Sequence, residues 1–180
     1  MQHVNLKVFA KSAQGVNLAD AIPVFHRWIQ RRELPELLID VADYSHVPAG
    51  PGVLLIGHEA NYSLDFGRNR LGLLYNRKAA GSSGGELGLA YERALDACRR
   101  LEREPEFLGE LLFDTGKLEV TFNDRLLHPN TDEGWREVQP ELERFFDGIF
   151  GRDQYALTRV GAPRERLRAS VTDETARADR

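Results

Sequence analysis

The apolar positions of this chain change their period several times, and each change marks an element. Val4 to Phe9 interleaves β-branched and aromatic residues with Asn5 and Lys7, the period-two signature of a half-buried strand. Leu18, Ala21, Ile22, Phe25, Trp28 and Ile29 then recur at three- and four-residue intervals, which is one face of a helix. Pro23 has no N–H to give and fits only a first turn, so Asp20 is the expected N-cap of a helix running to Arg32. Leu37 to Val41 and Val53 to Ile56 are nearly unbroken apolar runs, which predicts two central strands covered on both faces. Pro48, Gly50, Pro51 and Gly52 punctuate the surface loop between them.

Tyr62, Leu64 and Phe66 alternate, and so do Leu71, Leu73 and Tyr75, across the turn sequence Gly67-Arg68-Asn69-Arg70; this is a hairpin. The Gly/Ser-rich stretch 79–85 has little to bury and reads as a flexible connection. Leu87, Ala90, Tyr91, Ala94, Cys98 and Leu101 share a second helical face, ended by Pro105. Leu111 to Phe113 and Leu118 to Phe122 flank Asp114-Thr115-Gly116-Lys117, a second hairpin signal. A third helix, capped by Asn130 or Thr131, carries Trp135, Val138, Leu142, Phe145, Phe146 and Ile149, and Pro140 is expected to break or kink it. Gln154 to Val160 and Leu167 to Val171 form a last strand pair, with a frayed tail from Thr172.

This alternation is too irregular for a doubly wound parallel sheet and too helical for a sandwich. It predicts an α+β fold, a single mixed or antiparallel sheet with three helices packed on it. Taken from the strand before the second helix, the order β-α-β-β-α-β is ferredoxin-like. With 180 residues, 42% of them apolar and 29% charged, the chain can bury one core without staples, so residues 1–171 are expected to form one domain.

Charge and cysteine content narrow the function classes. A net charge of −4 supplies none of the basic excess that displaces counterions from a phosphate backbone, which predicts no nucleic-acid partner. Cys98 is the only cysteine and cannot form an intramolecular disulfide or a thiolate cage, which fits a reducing compartment. Met1-Gln2-His3-Val4 lacks the basic and apolar regions of a secretion signal, and no apolar run approaches a bilayer span; a soluble, cytoplasmic protein without membrane contact is expected, with homo-oligomerisation left open.

Three groups of residues could carry chemistry. The first is the loop cluster Tyr44, His46, His58, Glu59, Asn61 and Tyr62, where aromatic and polar groups mix at strand ends as a ligand-binding surface would need. Within and beside it, Asp43, His46, His58 and Glu59 offer nitrogen and oxygen donors for a divalent metal, although no His-Glu-x-x-His helix is present. The second is Arg77 and Lys78 with Ser82 and Ser83 of the Gly/Ser loop, which could hold an anion at a helix start but lacks both the P-loop and the dinucleotide pattern. The third, Asp124, Arg125 and His128, sits where turn and capping chemistry explains it better than catalysis does.

No complete catalytic set and no complete cofactor motif is present, so the sequence points to a non-catalytic protein that binds a partner protein or a small ligand. A divalent-metal-dependent hydrolase or isomerase and a phosphate-ligand binder are the alternatives.

Overall fold

A computed structural model describes residues 4–78 and 85–175. Eight strands form one antiparallel sheet: β1 (Val4–Ala13), β2 (Leu38–Tyr44), β3 (Gly52–Gly57), β4 (Ala60–Asp65), β5 (Gly72–Arg77), β6 (Leu111–Phe122), β7 (Tyr155–Val160) and β8 (Arg168–Asp173). Their spatial order is β2-β3-β4-β5-β1-β6-β8-β7, so β1 lies in the interior between β5 and β6. The fold is α+β, with a single sheet and three helices, α1 (Ala21–Arg31), α2 (Glu86–Leu101) and α3 (Asp132–Phe150).

The helices share one face of the sheet. Helix α2 crosses β1, β5 and β6, α1 covers β2 and β3, and α3 packs beside β7. Strand alternation supplies the apolar side: Val4, Leu6 and Val8 of β1, Leu73 and Tyr75 of β5, and Leu118, Val120 and Phe122 of β6 are buried with Ala90, Ala94 and Ala97 of α2. Alanines at the contact let α2 lie close to the strands. Phe146 of α3 closes the far end against Tyr155 of β7, with ring centroids 6.0 Å apart. Fully burying each large side chain of this kind contributes about 1.5–3 kcal/mol, so the face with the helices carries most of the stability.

Several elements differ from the sequence reading. Leu111 to Phe122 is one strand, not a hairpin, and β1 pairs along its whole length. Val8 faces Leu118 whereas Ala10 faces Phe113, so residues 114–117 form a bulge. The turn chemistry there is real but local: Asp114 accepts from the Gly116 N–H at 3.2 Å and pairs with Lys117 at 2.9 Å, while the ladder resumes on both sides. From β5 onward the order is therefore β-α-β-α-β-β, not the ferredoxin-like one.

Strand β2 is not central but an edge, paired on one side only, and Leu37 and Ile39 beside and within it are exposed. Helix α3 runs unbroken through Pro140, whose missing N–H falls on the exposed side of the helix. Its N-cap is Thr131, which accepts from the Gly134 N–H at 3.1 Å. Strand β8 continues to Asp173, opposite Tyr155, two residues into the segment expected to fray. No helix of the described residues is long and apolar enough to cross a membrane.

Candidate functional site

Among the described residues the sheet's second face carries no α-helix, and its centre is charged. Along β1 the residues between the core positions are Asn5, Lys7 and Phe9, and the same alternation brings up Asp65 of β4, Leu74 of β5, Glu119 and Thr121 of β6 and Arg168 of β8. Lys7, Asp65, Glu119 and Arg168 are nonetheless buried. Each stands between two apolar neighbours in sequence, as in Leu6-Lys7-Val8 and Leu118-Glu119-Val120. Such isolated charges inside strand patterns were the signal open to sequence reasoning, which did not bring these four residues together.

Two loops curl over this face and make it a pocket of about 290 Å³. The first, residues 66–70 between β4 and β5, is pinned from below by Lys7. Its ammonium pairs with the Asp65 carboxylate and donates to the carbonyls of Arg70 at 2.6 Å and Gly67 at 3.4 Å, so all three of its protons are placed. Arg70 then stacks on Phe9 with its guanidinium carbon 3.7 Å from the ring centroid. Arg68 and Asn69 adopt positive φ angles of 58° and 56°, which swings the loop tip back over the sheet and lets Arg68 pair with Glu119.

The second loop joins β7 to β8. Glu165 accepts from the Ala162 N–H at 2.9 Å and from Arg168 at 2.7 Å, and Gly161, at φ 100°, leaves the space those groups occupy. Arg168 also donates to Glu119 at 3.2 Å, so Glu119 bridges Arg68 and Arg168 from its two oxygens. At the same end Asn5 and Asn123 exchange amide hydrogen bonds of 3.2 and 2.6 Å, and Arg166 reaches Asn123 at 3.2 Å.

The lining holds four cations, Lys7, Arg68, Arg166 and Arg168, against three carboxylates, Asp65, Glu119 and Glu165, a net of one positive charge. Burial pushes the Lys7 amine below its ordinary pKa, and the Asp65 carboxylate works against that shift. Glu165 is held below the usual carboxylate range by the Ala162 N–H and by Arg168. The pocket is thus lined by paired, charged groups held in place from strands and loops.

The residues singled out from sequence do not assemble into one site. His46 lies in the β2–β3 loop, at the end where Tyr44 pairs with Gly52, and His58 lies beyond Gly57 at the other end of β3. Asp43 stays with His46 and bonds the Ser45 N–H at 2.8 Å, whereas Glu59 stays with His58. Asn61 accepts from the Gly57 N–H at 3.3 Å, a turn contact. Tyr44 is exposed, but Tyr62 is buried in the helix-facing layer, where its hydroxyl donates to Glu36 at 2.7 Å. No group of three or more His, Cys, Asp or Glu among the described residues is placed to hold a metal.

Of the anion candidates, Lys78 donates to the Gly57 carbonyl at 2.7 Å and Arg77 ends β5, while Ser82 and Ser83 lie outside the described residues. His128 packs edge-on against Phe122, with centroids 5.1 Å apart, and burial lowers its pKa. Asp124 accepts from the Leu126 and Leu127 N–H groups, which is turn chemistry. No protein-family model matches this chain, and no curated protein is significantly similar to it.

Proposed function

We propose that this is a non-catalytic binding protein whose ligand, a small polar molecule, is held on the helix-free face of the sheet. The observation that carries the reading is the burial of Lys7, Asp65, Glu119 and Arg168 on the side of the sheet that makes no hydrophobic core. Buried ion pairs cost several kcal/mol of desolvation per ion and add little net stability, so packing alone gives no reason to keep four of them together. A pre-ordered polar pocket between two loops does give one. The single cysteine, buried in α2, accords with a reducing, cytoplasmic setting for such a protein.

Two observations favour binding over the metal-dependent hydrolase: the wide separation of His46 from His58, and the saturation of Lys7 by three acceptors. The test is a thermal-shift survey of small polar metabolites of both charge signs, run on the protein and on Thr121→Phe, which puts a ring into the pocket from β6. A compound that raises the melting temperature of the first and not of the second is the expected result. Stabilisation that survives Thr121→Phe, or none from any compound, would remove this reading.

A further inference from the structure

Resting on that reading, we infer that the ligand's anchoring group is an oxyanion, a carboxylate or a phosphate, gripped by Arg166 and Arg68 over Thr121. The cations divide into two kinds. Lys7 and Arg168 are committed: the first has three acceptors, and the second is locked between Glu119 and Glu165. Arg68 and Arg166 are arms. The Arg68 side chain is 53% exposed while that of its partner Glu119 is 9% exposed, and Arg166 projects from the β7–β8 loop with the neutral Asn123 amide as its hydrogen-bond partner.

These two guanidinium groups come from loops at opposite ends of the sheet and line the same pocket. An anion placed between them meets planar, forked donors suited to bidentate contact with carboxylate or phosphate. A carboxylate also cancels the pocket's excess of one positive charge, and a phosphate more than offsets it. Thr121 and Asn5 add uncharged polar groups on the floor, and Leu74 gives an apolar patch for the rest of the molecule.

Glu119 ties the 66–70 loop to β8. Its carboxylate holds Arg68 and Arg168 together, and an incoming oxyanion takes over Arg68 while Arg168 remains bonded to Glu119. The space limits the ligand. A volume of about 290 Å³ lies at the small end of the range of small-molecule pockets.

The experiment is an NMR titration of isotope-labelled full-length protein with acetate, inorganic phosphate and, as a cation control, methylammonium, at ~150 mM salt to screen loose surface contacts. The amide of Thr121 and the guanidinium N–H signals of Arg68, Arg166 and Arg168 are followed. Saturable shifts with acetate or phosphate are expected, and whichever binds more tightly identifies the headgroup. Arg166→Gln and Arg68→Gln should each weaken that binding by about tenfold, while Arg103→Gln, an exposed arginine outside the pocket, leaves it unchanged.

If methylammonium saturates the same signals and the anions do not, the helix-free face still binds but the inferred anion is wrong. Should none of the three probes shift these residues, the inference and the binding reading fall together. Saturable anion binding unaffected by both glutamine variants would also overturn the inference, because the anion would then sit elsewhere.

Discussion

Lys7 on β1 pairs with Asp65 on β4 by reaching across β5, and the residue it crosses is Gly72. The register sets Phe9 opposite Gly72 and Gly72 opposite Asp65, so a side chain at 72 would stand in the path of the lysine stem. A Cβ built there would lie 2.5 Å from the Val8 carbonyl oxygen and 2.8 Å from the Lys7 Cε. The ion pair beneath the 66–70 loop therefore depends on a missing side chain.

Gly72→Ala should accordingly destabilise the protein by about 1–3 kcal/mol, since one of the clashing atoms is backbone and cannot rotate away. Urea unfolding followed by circular dichroism measures this as a lower midpoint at unchanged slope. An unchanged midpoint would show that β1 and β5 part freely at this point.

Removing one partner of the pair is the harsher change. Lys7→Met leaves the Asp65 carboxylate buried without its cation and should cost about 3–5 kcal/mol, whereas Lys7→Met combined with Asp65→Leu recovers most of that loss. The same urea curves decide it: a double variant no more stable than Lys7→Met alone would mean that the charges matter less than the shape of the loop they hold.

Alkaline stability is set on the other side of the sheet. Burial and the Glu36 carboxylate push the Tyr75 hydroxyl from its ordinary value of 10.0 up to about 12, burial and Asp147 do the same for Tyr155, and Tyr62 is pushed higher still for Tyr75's reasons. A folded value above the unfolded one means that the native state keeps protons the unfolded chain gives up. The stability these groups contribute is present below pH 10 and is lost as pH rises towards 12. Lys7 acts in the opposite sense, because its lowered pKa relieves a penalty as pH approaches 10.5, so loss above that point belongs to the tyrosines. Phenolate absorbance and circular dichroism recorded together should show Tyr62 and Tyr75 ionising only as the fold is lost, and Tyr75→Phe should make that loss shallower with pH.

Cys98 is 1% exposed on α2, and burial raises its thiol well above the usual value. A disulfide reagent should therefore label it no faster than the protein opens, with a rate that climbs with urea. Prompt labelling in the absence of urea would place the thiol at the surface and α2 away from the sheet.

The one-sided periods were the legible part of this sequence. Phe25 and Trp28 of α1, Ala94 and Cys98 of α2 and Leu142 and Phe146 of α3 all face the core that their three- and four-residue spacing predicts. What depended on distant partners was hidden. Asp114 to Lys117 satisfies turn chemistry within itself, and only the pairing of β1 with both flanks turns that segment into a bulge. The apolar run at Leu37 to Ile39 has the composition of an interior strand, but no local signal reveals which strands end up outermost.

The pocket escaped for the same reason. Nothing near Lys7 in sequence announces that Asp65, 58 positions later, and the carbonyl of Arg70 will close over it. His46 and His58 drew attention because imidazole is rich in chemistry, yet six residues of extended β3 hold the two loops apart.

Strand β1 precedes in chain order both strands that flank it, and its ladder with β6 joins Val4 to Phe122. On a ribosome, this ribbon must therefore wait, one side matched by β5 and the other bare, until more than half of the polypeptide has emerged. Entropy taxes so distant a closure, and folding is expected to be slow, in the millisecond-to-second range of chains ruled by non-local pairing. In that interval Lys7, a positive charge between Leu6 and Val8, discourages a foreign strand from adding to the bare side, a gatekeeper during synthesis before it becomes an anchor in the finished molecule.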